Sequence, residues 1–189
     1  SAAVVVATIR GLKWHGGVAL KDMGTPDAEA VRRGTENLRN ALRIVGMYGL
    51  PSVVAINRFP TDSPEEIAVV KEVAMDAGAI GVEEAKGFDE GGDGMTDLAA
   101  AVVKAADVPS DVKLLYEDDD DYFGKVEHMA KSLYLAGDVK WGPMTRTTAR
   151  KFAANGWNYP VCIAKTHLSI SADPKLKGAP TGHTLPIRE

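Results

Sequence analysis

The sequence predicts an α/β fold in which a mostly parallel sheet carries helices on both faces, giving three layers. Short β-rich apolar runs alternate with longer segments whose apolar residues recur at helical spacing, which is the pattern of βαβ units. The runs are apolar almost throughout, as is typical of parallel strands that helices cover on both sides. The chain has 189 residues, 45% of them hydrophobic, which is enough to bury a core of this kind.

Five apolar runs are candidate strands, namely residues 4–9, 52–57, 79–82, 112–116 and 161–164. Helical spacing predicts helices over residues 27–48, 64–78, 95–106, 122–134 and 145–154. The second of these helices has the clearest start signal, because Ser63 can cap it and Pro64 takes its first position. We expect residues 1–110 to form an α/β unit with the ligand loops, and residues 111–189 to add further α/β units that continue the same domain.

Composition and charge argue against several classes of partner. The chain has 22 Lys and Arg against 26 Asp and Glu, a formal charge of -4, so no diffuse basic field attracts nucleic acid. No apolar run approaches the roughly 18 residues of a membrane-spanning helix, and no leader is recognisable. The single cysteine, Cys162, forms neither an intrachain disulfide nor a zinc cluster. We therefore expect a cytoplasmic protein.

Both ends of the chain begin or stop within apolar or extended sequence. The first candidate strand follows Ser1 almost directly, without an initiator Met, and residues 184–189 form an extended run without a turn residue. We expect the chain to be a portion of a longer protein.

The loops that follow the strands are the expected ligand-binding regions, because ligands of doubly wound sheets lie at the carboxyl ends of the strands. Residues 10–17 follow the first strand and contain two basic residues, a histidine and paired glycines, which suits an anionic ligand. Arg10, Lys13 and His15 are candidates here. The alternative is a tight turn with Trp14 packed in the core.

A second loop begins with Asn57 at the end of the strand over residues 52–57. Pro60 favours an extended backbone at Phe59, so that the ring could stand out and stack on a flat ligand. Asn57, Arg58, Phe59 and Pro60 are the candidate binding residues. The alternative places Phe59 in the core at the strand end.

A third loop, residues 86–94, has four glycines among its last eight residues. Phe88, Gly91 and Gly92 are candidates, since glycines allow sharp bends and close approach of a ligand. An EF-hand register starting at Asp89 puts Ala100 where the bidentate acid belongs, so no metal site is predicted. The sequence contains neither a G-x-x-x-x-G-K-[ST] phosphate loop nor a complete G-x-G-x-x-G motif.

Taken in order, these segments resemble formate–tetrahydrofolate ligase, also called 10-formyltetrahydrofolate synthetase. The segments that carry the resemblance are residues 4–10, 13–17, 53–62, 91–94, 164–167 and 173–176, with Gly178. The most specific is Ala-Ile-Asn-Arg-Phe-Pro-Thr-Asp, residues 55–62. The resemblance covers essentially the whole chain and implies an interior-to-late portion of that enzyme, with the phosphate loop upstream of Ser1.

The resemblance implies an activity and its substrates. Members of the family join formate to tetrahydrofolate with MgATP, through formyl phosphate. MgATP, tetrahydrofolate and formate are thus the expected substrates of the full-length enzyme, which is expected to be a homo-oligomer. No cofactor is expected to bind tightly to this portion alone.

The resemblance also implies roles for particular residues. Asn57, Arg58 and Phe59 are expected to border the folate or nucleotide pocket, with Phe59 as one wall of an aromatic clamp. Phe88 stands where the family usually has a Trp three residues before the paired glycines, and is the expected opposite wall. Lys165, in the stretch Ala-Lys-Thr-His, is a further candidate binding residue.

Two other hypotheses remain open at the level of sequence. Asn57 and Arg58 after a buried strand partly match the base-recognition loop of P-loop GTPases, which suggests a noncatalytic nucleotide-binding or regulatory α/β module. A purely structural or interaction domain would use the glycine-rich loop as a tight connection. Because these residues include no phosphate cradle, the chain alone is predicted to be catalytically inactive.

Overall fold

A computed structural model describes residues 1–164 and 169–188, which divide into two compact units, Ser1–Lys113 and Leu114–Glu189. The candidate Lys165 lies outside the described residues. The strands of the first unit are β1 (Ala3–Ala7), β2 (Ser52–Asn57) and β3 (Gly81–Ala85). Its helices are α1 (Ile9–His15), α2 (Ala28–Gly34), α3 (Glu36–Met47), α4 (Pro64–Asp76), α5 (Gly87–Glu90) and α6 (Thr96–Ala106).

The first unit is built on a parallel sheet with strand order β1-β2-β3. One face of the sheet, which includes the fully buried Val54 and Ile56, packs against residues of α1 to α4. The opposite face, which includes Val53 and Ala55, packs against α6 through Leu98 and neighbouring residues. These three layers confirm the predicted fold class.

Helix α4 illustrates how the sequence sets an element boundary. The hydroxyl oxygen of Ser63 accepts a hydrogen bond from the Glu66 amide at 3.2 Å, and the Glu66 carboxylate accepts one from the Ser63 amide at 2.9 Å. This reciprocal capping box, with Pro64 in the first turn, satisfies amides that have no partner within the helix. Gly78, with φ of +93°, follows its end. The predicted helix start is confirmed.

The helix predicted over residues 27–48 is wrong in one respect, because the structure divides it at Thr35 into α2 and α3. Both the amide and the hydroxyl of Thr35 donate to the Arg32 carbonyl, at 3.2 and 2.7 Å. Side-chain hydroxyls of this kind compete with the helical hydrogen-bond pattern. The hydroxyl of Thr35 therefore helps to end α2 at Gly34.

The prediction of a loop over residues 10–17 is also wrong, since residues 9–15 form helix α1. The side chain of Thr8 caps this helix by accepting a hydrogen bond from the Gly11 amide at 3.0 Å. Arg10, Lys13 and His15 are thus on a helix that starts directly after β1.

The second unit contains a two-stranded parallel sheet. Its elements are α7 (Tyr122–Ser132), β4 (Asp138–Trp141), α8 (Pro143–Ala154) and β5 (Thr184–Ile187), with β4 paired to β5. The structure therefore gives this unit a sheet of its own. That residues 111–189 continue the domain of residues 1–110 stays a prediction.

The strands predicted over residues 112–116 and 161–164 are wrong. The amide of Lys113 donates to the carbonyl of Tyr48 at the end of α3, and the amide of Val161 donates to the Tyr116 hydroxyl at 2.9 Å, so neither amide is paired with a strand. Strands β4 and β5 were not predicted. Each is four residues long, and Pro186 lacks the amide that a central strand would need. No helix in the described part of the chain is long and apolar enough to cross a bilayer.

Candidate functional site

The candidate site of the first unit is the sheet edge at which β1, β2 and β3 end. Because the three strands are parallel, their carboxyl ends lie at this one edge. The Arg58 amide donates to the Ala85 carbonyl at 3.2 Å, which joins the loop after β2 to the end of β3. The structure thus brings together the predicted loops that begin at Asn57 and Lys86.

Arg58 is held by a carboxylate of the neighbouring strand. Its guanidinium contacts one oxygen of Glu84 at 2.6 Å, and the ammonium of Lys71 contacts the other at 3.0 Å. Burial would raise the pKa of Glu84, but the hydrogen bond and charge of Lys71, together with Arg58, lower it. Glu84 is therefore an anion that orients Arg58 and balances part of its charge.

Phe59 lies in a short turn closed by Asp62. The Phe59 amide donates to the Asp62 carboxylate at 2.8 Å, and the Asp62 amide donates to the Phe59 carbonyl at 2.9 Å. The ring is half-buried, belongs to neither buried cluster of this unit, and has the guanidinium carbon of Arg10 at 5.6 Å from its centroid. This position agrees with a ring at the rim of a site rather than in the core.

The Asp62 carboxyl is buried, with 6% of the residue exposed. Burial raises its pKa, and the nearby charge of Glu66 adds to the increase. The hydrogen bond from the Phe59 amide and the charges of Lys13 and Arg58 oppose it without cancelling it. The group that holds Phe59 is thus a carboxyl whose ionised form is disfavoured by its surroundings.

The third loop folds into the short helix α5 followed by glycines. Phe88 is 97% exposed, which excludes a core position for its ring within this unit. Gly91 has φ of +60°, and a Cβ at Gly94 would lie 2.8 Å from the Lys86 carbonyl oxygen. Gly92 and Pro60 are both exposed.

The two aromatic rings of the expected clamp follow adjacent parallel strands. Among the ring contacts of the described residues, none joins Phe59 to Phe88. A clamp formed by these two rings stays a prediction.

Lys13 was a candidate binding residue, but the structure buries its side chain. Its ammonium is buried and contacts the Glu66 carboxylate at 2.9 Å and the Thr25 carbonyl at 3.0 Å. Burial would raise the pKa of Glu66, but hydrogen bonds from the amides of Ser63 and Asp27 and from Lys13 lower it. The pair therefore ties α1 to α4, and its ammonium is engaged within the protein.

Arg10 and His15 remain at the surface of α1. Arg10 is exposed in the first turn, next to Phe59. His15 packs edge-to-face on Trp14, with ring centroids 5.1 Å apart, and lines a small cavity of about 150 Å³ beside β1 and α3. Trp14 is half-buried.

Sequence reasoning assigned no role to Glu84 or Asp62, although both hold residues of the predicted site. A signal for Glu84 was available, since it follows the run predicted as a strand over residues 79–82 and so falls at the sheet edge where Arg58 is also expected. Asp62 could have been found from its position three residues after Phe59, which is the spacing at which an acidic side chain can accept a hydrogen bond from an earlier amide.

The family resemblance implies Mg²⁺ bound with ATP. Within residues 1–164 and 169–188, no three His, Cys, Asp or Glu side chains are grouped to hold a metal ion. Asp62 and Glu84, the acids that hold Phe59 and Arg58, already accept hydrogen bonds from protein donors.

Comparison with known proteins gives a consistent result. The sequence model of the family Formate–tetrahydrofolate ligase matches residues 1–189. The formate–tetrahydrofolate ligases of Herpetosiphon aurantiacus and Lactiplantibacillus plantarum are each 44% identical to this chain, over 98% and 100% of it and 34% of each relative. C-1-tetrahydrofolate synthase, cytoplasmic, of Schizosaccharomyces pombe is 40% identical over 100% of the chain and 21% of that protein.

The matches cover nearly all of this chain but only part of each relative. The chain spans about a third of the length of the two bacterial relatives. The family model covers every residue of it, including the loops that carry Phe59 and Phe88. The chain belongs to the formate–tetrahydrofolate ligase family.

Proposed function

We propose that this chain is the folate-binding and nucleotide-bordering portion of an ATP-dependent ligase that joins formate to tetrahydrofolate. The observation that carries the proposal is the loop of residues 57–62, which the Asp62 turn and the Glu84 ion pair fix at the carboxyl edge of a parallel sheet. A half-buried Phe59 ring at this position suits a flat heterocycle. In this proposal that heterocycle is a pterin or adenine, as the substrates of the ligase reaction suggest.

The reaction has two steps. ATP transfers its γ-phosphoryl group to formate, giving formyl phosphate and ADP. The amine of tetrahydrofolate then attacks the formyl carbon, loses its proton, and displaces inorganic phosphate. The second step gains from holding a flat amine-bearing substrate in one orientation, since positioning turns a bimolecular step into an effectively unimolecular one.

In this proposal, Phe59 provides the stacking surface, and Asn57 and Arg58 provide polar contacts beside it. Phe88, with Gly91 and Gly92 as the bend behind it, provides the second aromatic wall. Arg10 lies beside Phe59 and adds positive charge, which suits the carboxylates of a folate or the phosphates of a nucleotide. We extend to this protein the cytoplasmic location that the fission yeast relative has in its name, and a homo-oligomeric assembly.

Turnover and ligand binding test the proposal separately. The 189-residue chain is expected to bind tetrahydrofolate but to form no formyltetrahydrofolate from formate and MgATP, because it has no phosphate loop to neutralise the transferring phosphoryl group. Product would be measured by chromatography and ligand binding by calorimetric titration. Steady turnover by the chain alone would contradict this division of roles.

The second hypothesis, a noncatalytic nucleotide-binding module, predicts a different outcome of the same titrations. It requires ATP to bind and tetrahydrofolate to leave the calorimetric signal unchanged. Tetrahydrofolate binding that Phe59→Ala weakens, in a variant that stays folded, favours the ligase.

A further inference from the structure

A cavity in the second unit is lined by described residues other than those assigned to the proposed ligase function. It has a volume of about 580 Å³, within the range of about 300–1,000 Å³ typical of small-molecule pockets. Trp141, the last residue of β4, and Ile187, the last residue of β5, both line it. The cavity is therefore at the carboxyl end of a parallel strand pair, the edge at which α/β sheets usually bind ligands.

The walls of this cavity are aromatic and already fixed by their neighbours. Tyr122, Trp141 and Phe152 line it. Tyr122 and Phe152 pack edge-to-face with centroids 5.9 Å apart, and the Tyr122 hydroxyl accepts a hydrogen bond from the Tyr159 amide at 3.0 Å. Rings held in this way offer flat apolar surface without ordering on binding, which favours a planar ligand.

The charge on the described lining of the cavity is positive. Arg188 is the only charged side chain among the described residues that line the cavity, and none of those residues has a carboxylate side chain. Arg188 is exposed and forms no ion pair with any other described residue. A guanidinium beside apolar walls favours an anionic group attached to a planar ring.

We propose that this cavity binds a planar aromatic carboxylate of one or two rings, with its ring against the aromatic side chains and its carboxylate toward Arg188. The inference is independent of the loops of residues 57–62 and 86–94, since none of their residues is among the described residues that line the cavity. Binding is noncovalent and leaves the ligand unchanged.

Cys162 allows a direct test, because it is the only cysteine of the chain, is exposed, and lines the cavity. The probe is 2-naphthoate, and the measured quantity is the rate at which iodoacetamide alkylates Cys162. At ten times its dissociation constant the probe is expected to slow alkylation about tenfold, because only unoccupied protein reacts. An unchanged rate up to millimolar 2-naphthoate would overturn the proposal.

Two comparisons distinguish recognition of the carboxylate from nonspecific apolar binding. The neutral isostere 2-naphthamide is expected to protect Cys162 at concentrations about tenfold higher, since it lacks the charge that pairs with Arg188. Arg188→Gln is expected to remove this difference between the two probes. Arg150→Gln, an exposed arginine of α8 that does not line the cavity, is the matched control and should retain it.

Thermal melts of the three proteins, followed by circular dichroism, check that each variant is folded. Equal protection by both probes in the wild-type chain, or a difference that survives Arg188→Gln, would overturn the role of Arg188 and with it the proposal. Protection by tetrahydrofolate or ATP without protection by 2-naphthoate would overturn it as well, since the cavity would then belong to the ligase site.

Discussion

At the scale of single residues, the position of Phe59 depends on a buried acid. The Asp62 carboxylate accepts the hydrogen bond of the Phe59 amide, and Asp62 is 6% exposed. A buried amide that loses its partner costs about 1–3 kcal/mol, whereas exchange for a group that keeps the acceptor costs less. Asp62 is therefore the residue whose substitution should report most clearly on the turn.

We expect Asp62→Ala to lower the free energy of unfolding by about 1–3 kcal/mol. Asp62→Asn, which retains an oxygen acceptor and the side-chain volume, should lose less. Urea denaturation of both variants measures the difference. Equal losses for the two variants would contradict the assigned hydrogen bond.

The contribution of the Asp62 carboxyl to folding stability depends on pH with a defined sign. Burial raises the pKa of Asp62 in the folded protein above its ordinary value of 3.8, so folding favours the protonated form. The contribution of this group to stability is complete below pH 3.8 and is lost as the pH rises through the raised pKa. Relative to wild type, Asp62→Asn should therefore gain stability as the pH rises from below 4 to neutral.

The residue scale also separates what could and could not be predicted from sequence. Phe59 and Arg58 became candidates because an asparagine, a cation and an aromatic follow a clearly apolar strand, and their role in binding stays a prediction. Lys13 looked equally suitable in a basic segment, yet its ammonium is buried against Glu66. Its partner lies 53 positions away along the chain, and no local pattern in the sequence indicates such a long-range pair.

At the scale of elements, helices α1 and α2 approach each other through glycines. A Cβ at Gly34 would lie 1.8 Å from the Leu12 carbonyl oxygen, and one at Gly16 would lie 1.9 Å from the Ala30 carbonyl oxygen. Both contacts are with backbone, which cannot rotate away as a side chain could. The short distance between the two helices therefore requires glycine at these positions.

We expect Gly34→Ala to destabilise the first unit by about 1–3 kcal/mol or more, because α2 must move away from α1. Gly46→Ala in α3 is the matched control, since a Cβ there meets nothing within 4 Å. Alanine in an open helical position should stabilise by about 0.5–1 kcal/mol. Melting temperatures of the two variants that shift by the same amount would contradict the close packing.

The elements predicted correctly were those with local signals. The capping box at Ser63 and the apolar run of β2 depend on neighbouring residues only. Helix α1 was taken for a loop because glycine, tryptophan and histidine obscured the Thr8 cap. The short β4 and β5 depend on pairing between segments more than 40 residues apart, which single-sequence patterns do not encode.

At the scale of the whole molecule, β1 has an edge without a partner strand among the described residues and a face with exposed side chains. Within the described residues β1 pairs with β2 alone, and Val4 and Val6 are 43% and 66% exposed. On the same face Val53 is fully buried beneath α6. An unpaired strand edge beside exposed apolar side chains is a common route to association.

We therefore expect the 189-residue chain to self-associate with rising concentration, and Val6→Lys to reduce this association. Val103→Lys is the matched control, because Val103 is similarly exposed, at 64%, but lies on α6 away from the strand edge. Light scattering over a concentration series measures the average mass. A wild-type chain that stays monomeric throughout would contradict this expectation.

The most direct test of the central claim is the dissociation constant of tetrahydrofolate for the wild-type chain and for Phe59→Ala, measured by isothermal titration calorimetry. Stacking contributes about 0.5–1.5 kcal/mol beyond area burial, so loss of the ring should weaken binding about tenfold, while Phe59→Tyr should bind nearly as wild type. Thermal melts establish that each variant is folded. Equal dissociation constants for wild type and a folded Phe59→Ala variant would contradict the account, because the loop of residues 57–62 would then not form the folate site.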